Sequence, residues 1–261
     1  MRAMILAAGL GTRLRPLTDS RPKALVEVAG RTLLETTLTR LRSLGVSEVI
    51  INVHHFADMV VDYLKSNENF GMRIEISRED DLLLDTGGGL KKAAWFFLEN
   101  ASVDARHSPL ATRHSLTEPF ILHNVDVISN IDLRRMIQFH NENHALATLA
   151  VQLRQSSRLL LFNDQNQLVG RHAGSDSREP NSPLATRGSP LAFSGIHVIS
   201  RRLLPMLTET GVFSIIDAYL HLAAQGEKIL AFRADEYYWR DLGRPSDLSQ
   251  AALDFQQKNL F

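Results

Sequence analysis

An α/β fold built on a wound, mostly parallel sheet with helices on both faces is predicted by two features of this 261-residue chain. Apolar, β-branched runs alternate with segments of helical period, and the first of those runs ends in a glycine-rich turn. Repeated strand–helix–strand order requires parallel neighbours, because a crossover helix returns the chain to the same end of the sheet.

The elements follow in order. Ala3 to Ala8 and Val49 to Val53 read as strands buried on two faces. Between them Leu33, Leu34, Leu38, Leu41 and Leu44 form one helical stripe, with Gly45 placed for a left-handed cap. The pattern then predicts a helix near Ala57 to Lys65, a strand at Arg73 to Ser77, a helix after Gly89, a strand at Phe120 to Asn124 and a helix from Asp132 to about Asn143. Beyond Ala145 come strands at Ala147 to Leu153, Leu159 to Phe162 and Ala192 to Ile199, a helix near Ser214 to Ala224 and a strand at Lys228 to Arg233. This half is expected to extend the sheet and wall the active site on a second side. The whole chain, 1–261, is read as one domain with flexible insertions near 101–118 and 173–190. Both insertions carry Ser-Pro-Leu-Ala-Thr-Arg, at 108–113 and 182–187, and are assigned no chemistry.

Composition narrows the function. Lys plus Arg equals Asp plus Glu, 29 against 29, so no net positive field points to nucleic acid or an anionic membrane. An anion must therefore be held by a local site. The absence of cysteine excludes disulfides, thiolate zinc sites and a cysteine nucleophile. No apolar run reaches the length of a membrane span, and a cytoplasmic location is expected. Ten histidines form no metal-binding spacing; His54-His55 reads as a loop pair, and Trp95, Phe96 and Phe97 as core.

The chemistry concentrates in Leu6-Ala7-Ala8-Gly9-Leu10-Gly11-Thr12-Arg13-Leu14-Arg15-Pro16-Leu17-Thr18, followed by Pro22-Lys23. Glycines 9 and 11 let bare amides approach an anion, Arg13 and Lys23 add fixed positive charge, and the loop leaves the carboxyl end of a strand. Two rivals fail on the residues. A dinucleotide fingerprint needs glycine where Leu14 stands and a helix where Pro16 and Pro22 stand, and no phosphate-binding Gly-Lys-Ser/Thr loop occurs.

That stretch resembles the signature of the sugar-1-phosphate nucleotidyltransferases. The similarity continues through Gly30-Arg31-Thr32-Leu33, Asp85-Thr86-Gly87-Gly88-Gly89, Asn124-Val125-Asp126, Phe193-Ser194-Gly195-Ile196 and Trp239-Arg240-Asp241-Leu242-Gly243. It implies a Rossmann-like catalytic domain with a sugar-binding extension, acting on a nucleoside triphosphate and a sugar 1-phosphate and releasing pyrophosphate. Asp126, after an apolar strand, and Asp241, in an aromatic-flanked turn, are candidate carboxylates for Mg2+, and aspartates at these motif positions hold the metal in the family. The chain departs from the family by Val125 where glycine is usual, so this loop is expected to take an ordinary backbone conformation, and by Arg244 where threonine is usual.

The resemblance assigns Arg13 to the departing pyrophosphate and Lys23 to the α-phosphate or the sugar phosphate. It places Ala8, Gly9, Gly11, Thr12, Glu79 and Gly88 at the nucleotide and Asn124, Gly195, Ser214 and Asp217 at the sugar. Glu79 is the expected base-edge contact, and the glycine triplet is expected to let bare backbone reach the base. The Asp-Thr-Gly-Gly-Gly form is similar to that of N-acetylmuramate 1-phosphate uridylyltransferases, and no Glu-Lys-Pro triplet occurs in the second half. UTP with N-acetylmuramate 1-phosphate is the first reading. The others are a mannose or heptose 1-phosphate guanylyltransferase and a non-catalytic, nucleotide-sugar-binding regulatory relative. A monomer or small homo-oligomer with one activity is expected.

Overall fold

The computed structural model describes residues 1–98, 118–172 and 188–258, and the two expected insertions lie almost entirely outside them. The first half contains β1 (Arg2–Leu6), a small hairpin of β2 (Glu27–Val28) and β3 (Arg31–Thr32), α1 (Leu33–Ser43), β4 (Glu48–Val53), α2 (Ala57–Ser66) and β5 (Arg73–Arg78). After it come α3 (Asp85–Lys92), α4 (Ala94–Leu98), β6 (Pro119–Asn124), β7 (Val127–Ser129) and α5 (Leu133–Glu142). The second half adds β8 (Ala147–Gln152), β9 (Leu159–Phe162), β10 (Leu168–His172), β11 (Ser189–Ser200), α6 (Ile215–Ala224), β12 (Ile229–Arg233), β13 (Trp239–Asp241) and α7 (Pro245–Lys258).

Among the described residues one nine-stranded sheet runs through both halves, in the order β10-β9-β11-β6-β1-β4-β5, with β8 and β12 off that path. β6, β1, β4 and β5 are parallel, as the alternation predicts, and β8 pairs parallel with β12. β11 enters antiparallel and joins the two sets by pairing with β6, β8 and β9.

Strand residues alternate between the two faces, and so does the core. Ala3, Ile5 and Ile121 join the cluster under α1, α2 and α5, whereas Met4, Phe120 and Leu122 join the one under α3, α4 and α6. Helix ends are specified locally. Thr32 caps α1 by accepting from Glu35 N at 3.0 Å, Asp132 caps α5, and Ser214 caps α6. Gly45, at φ +85°, closes α1 with Gly45 N donating to Arg42 O and Val46 N to Leu41 O.

Several expectations are corrected. β1 stops at Leu6, and the residues after it leave the ladder to form the loop. The helix expected after Gly89 begins at Asp85 and contains the glycines. Ser189 and Pro190, placed in a loop, pair with β9. Phe96 and Phe97 are fully buried but Trp95 is 43% exposed, because three consecutive helical residues point about 100° apart and cannot share one face. β10, the β2–β3 hairpin, β7 with β13 and α7 have no counterpart among the expected elements, and the helix expected after Gly89 is split at Ala93 into α3 and α4.

Candidate active site

The loop after β1, the segment after β6 and the start of α3 surround a cavity of about 460 Å3 at the carboxyl ends of the parallel strands. Open α/β sheets bind ligands at that end. No α-helix follows the glycines: Thr12–Leu14 make one 3-10 turn, Arg15–Pro16 is cis, and Lys23–Leu25 make another turn. Gly11 has φ +65°, and an added Cβ would lie 2.8 Å from Thr18 Cγ2, so conformation and space both demand glycine there. Nothing lies within 4 Å of a Cβ at Gly9, which faces open space on the cavity wall. Ala8, Thr12, Arg13 and Lys23 also line the cavity.

The two predicted carboxylates are brought together by strands too short to announce themselves. β13 pairs antiparallel with β7, opposing Asp241 to Val127, and Leu242 N donates to Asp126 O at 2.8 Å. Lys23 Nζ forms an ion pair with Asp126 Oδ2. Burial pushes the Asp241 carboxyl up, the negative charge of Asp126 adds to that, and Lys23 and Arg13 pull it back. Gly243 keeps this corner open: a Cβ there would meet Arg13 Nη2 and Asp241 Oδ1, each at 2.6 Å. Arg13, Lys23 and Asp126 line the cavity, and Asp241 stands beside its lining residue Gly243, so the four form one charge cluster. No group of three or more His, Cys, Asp and Glu that could hold a metal occurs among the described residues, so the aspartate pair is what the site offers a cation. Val125 has none of the left-handed backbone that glycine would allow; its N–H donates to Leu6 O at 3.1 Å and its side chain is buried. Arg244 is exposed, and its carbonyl accepts from Leu248 N at the start of α7.

Behind the cavity runs a polar relay that sequence reasoning missed. Asn52 Oδ1 accepts from Ala7 N at 2.8 Å, and Asn52 Nδ2 donates to Glu79 Oε1 at 2.7 Å. Glu79 Oε2 in turn accepts from Leu84 N at 2.8 Å. Glu79, expected at the base, is therefore buried beneath the cavity with both carboxylate oxygens engaged. The only signal was a polar residue inside the apolar run Val49-Ile50-Ile51-Asn52-Val53.

The glycine triplet also has structural partners. A Cβ at Gly89 would lie 2.8 Å from both Asn52 Nδ2 and Glu79 Oε1, one at Gly88 2.5 Å from Gly211 O, and one at Gly87 2.4 Å from the Phe213 ring. Gly87 N donates to Phe213 O at 2.9 Å, and Ile215 N to Thr86 Oγ1 at 3.0 Å. The triplet clasps the 211–213 segment, and Leu83, Asp85, Thr86 and Val212 line the cavity in its place.

Of the residues expected at the sugar, Asn124 lines the cavity, and Gly195, at φ +74°, lies beside it: its Cβ would be 3.0 Å from Asn124 Nδ2. Ser214 spends its oxygen on capping α6, and Asp217 pairs with Arg171 at 2.7 Å on the surface. His54 Nδ1 contacts Glu79 O and His55 packs on Phe56, so this pair is structural. No helix among the described residues is long and apolar enough to cross a membrane.

Comparison with known proteins agrees with this geometry. Residues 2–159 match the nucleotidyl transferase family model. The N-acetylmuramate alpha-1-phosphate uridylyltransferase of Caulobacter vibrioides is 33% identical over 249 residues, covering 93% of this chain and 92% of the relative. The mannose-1-phosphate guanyltransferase beta-B of Xenopus laevis is 28% identical over 95% of this chain, which spans 62% of that relative. In fold, the UDP-glucose pyrophosphorylase of Acinetobacter baumanii superposes with a TM-score of 0.74 at 19% identity, over 99% of this chain and 95% of the other. With a glycine-rich loop, two basic side chains and two aspartates meeting at the carboxyl ends of a parallel sheet, the chain belongs to the nucleotidyl transferase family, among the sugar-1-phosphate nucleotidyltransferases.

Proposed function

We propose that the chain transfers a uridylyl group from UTP to N-acetylmuramate 1-phosphate. The observation that carries the reaction is the convergence of Arg13, Lys23 and Asp126 on one cavity, with Asp241 beside its lining residue Gly243. A sugar phosphate oxygen attacks the α-phosphorus in line, the bond to the bridging oxygen of pyrophosphate breaks, and pyrophosphate carries the leaving charge. No general base is needed, because the attacking phosphate is already ionised at neutral pH. The chain's contribution is positioning and charge. The loop after β1 presents amides from Ala8 to Thr12 to the triphosphate, Arg13 neutralises the departing pyrophosphate, and Lys23 meets the α-phosphate.

Two hard carboxylates, with no third His, Cys, Asp or Glu grouped with them among the described residues, suit Mg2+, which takes one or two carboxylates and completes its shell with phosphate and water. Asp126 and Asp241 would hold it, and when bound it supplies positive charge to the phosphates. The choice of uridine and N-acetylmuramate rests on the 33% identity to the Caulobacter relative across nearly the full length of both chains. A guanylyltransferase acting on mannose or heptose 1-phosphate is the second reading, supported by the 28% identity to the mannose relative.

The test is pyrophosphate release with Mg2+, screening UTP, dTTP, GTP, CTP and ATP against N-acetylmuramate, glucose, mannose and heptose 1-phosphates. Highest kcat/KM with UTP and N-acetylmuramate 1-phosphate supports the proposal, and preference for GTP and mannose or heptose 1-phosphate selects the second reading. Arg13→Ala lowers kcat by about 100-fold or more while the thermal midpoint stays put; a near wild-type rate removes Arg13 from the leaving-group role.

A further inference from the structure

Three buried side-chain atoms without a hydrogen-bond partner in the described structure, Asn124 Oδ1 at the end of β6 and Arg154 Nε and Ser194 Oγ of the second half, form one corner around residues 193–195 of β11. Buried polar atoms are almost always paired, so a wall carrying three unpaired ones is shaped for something that completes it. The corner is made by an irregularity in β11. Pairing with β8 skips from Phe193 to His197, and within that gap Gly195 takes its left-handed conformation. The irregularity turns two carbonyls outward: Phe193 O accepts from Arg154 Nη2 and Ser194 O from Trp239 Nε1, both at 2.7 Å.

Arg154 is unusually placed for a cation. Its guanidinium lies 3.7 Å over the Trp239 ring, is half-buried, and has no ion-pair partner among the described residues. Trp239 and Asp241 are two apart on β13 and share a side of it, and the charge of Asp241 acts on Arg154. Arg154 therefore approaches the aspartate corner from the second half, whereas Arg13 and Lys23 belong to the first. The reaction above brings two anionic substrates to that corner, and Lys23 is already paired with Asp126.

We propose that Arg154, carried on Trp239, receives the phosphate of the sugar 1-phosphate, and that Asn124 and Ser194 complete the wall against the sugar. Nη2 is held by Phe193 O, which fixes the stacked guanidinium in plane and leaves the Nη1 N–H groups for phosphate oxygens. Lys23 is then left to the nucleotide. The inference rests on the reaction proposed above, so its test separates the two.

In the wild type, pyrophosphate release first identifies the productive pair. Arg154→Gln is then expected to raise KM for the sugar 1-phosphate by about 10- to 100-fold, with KM for the nucleotide within about twofold. Arg154→Lys, which keeps the charge and loses the plane, recovers part of the difference and carries the test if the glutamine variant does not fold. An equal rise in both KM values, or no rise, overturns the proposal. An independent readout is Trp239 fluorescence in a Trp95→Phe background, titrated with each sugar 1-phosphate of the panel in the absence of nucleotide. A saturable change that Arg154→Gln abolishes supports the site even where no pair turns over, which would sink only the proposed reaction. Turnover with the same KM and the same fluorescence response in the variant sinks the Arg154 proposal alone.

Discussion

Replacing Asn52 with aspartate alters the relay behind the cavity at one atom. Asn52→Asp keeps the oxygen that accepts from Ala7 N and turns the group that donates to Glu79 Oε1, at 2.7 Å, into a second carboxylate oxygen. Two carboxylates at that distance cannot both stay ionised in a buried site, so one binds a proton on folding. Holding a carboxyl protonated costs about 1.4 kcal/mol for each pH unit above its ordinary value near 4, hence about 4 kcal/mol at pH 7 and about 1 kcal/mol at pH 5. The folded variant binds the extra proton, so its deficit grows as pH rises and shrinks as pH falls. Urea unfolding of both proteins at pH 5, 6 and 7 measures the difference directly. A deficit independent of pH, or none at pH 7, would refute the reading of Asn52 as the donor to Glu79 Oε1.

Further outcomes follow from the packing. Gly87→Ala should lower stability by about 1–3 kcal/mol, because its Cβ would sit 2.4 Å from the Phe213 ring and 2.9 Å from Phe213 O; helix propensity alone predicts a gain of up to about 1 kcal/mol, so a raised thermal midpoint refutes the clasp. His123 and His197 are held down to about 3, and His140 to about 4, chiefly by burial. Between pH 4 and the ordinary histidine value of about 6.5 the unfolded chain therefore binds more protons, and stability falls with falling pH by up to about 1.4 kcal/mol per pH unit for each histidine. A denaturation midpoint that stays flat from pH 6.5 to 5 would show that these rings are charged in the folded protein.

How far the sequence could be read depended on the distance between partners. α1 carries its leucine stripe, its Thr32 cap and its Gly45 closure within 14 residues, and each is visible without knowing the fold. β7 and β13 have three residues each and find each other across the chain, so neither has a period to detect. Arg13 and Lys23 stood out beside the glycines of a strand-end loop, and Asp126 and Asp241 because they sit at motif positions of the resembled family; folding brings the four together. The glycine triplet was legible as a helix start, but its contact with 211–213 lies in the second half, so its clasping role was not. Asn52 looked like one polar residue in a strand, and Arg154 like any arginine in a polar turn.

The pairing of β11 bears on how the enzyme can move. Ala192 is matched to Gln152 on one side and Leu159 on the other, and His197 to Leu149 and Leu122. One strand is thus stitched along both borders, to the parallel half and to the second half at once. Rotating the halves as rigid lobes would tear hydrogen bonds from ladders on both sides of β11, a far stiffer coordinate than bending a loop. Capture and release of two substrates must then be handled at the rim, by the turns after β1 and around 211–213, while the sheet beneath serves as a fixed anvil.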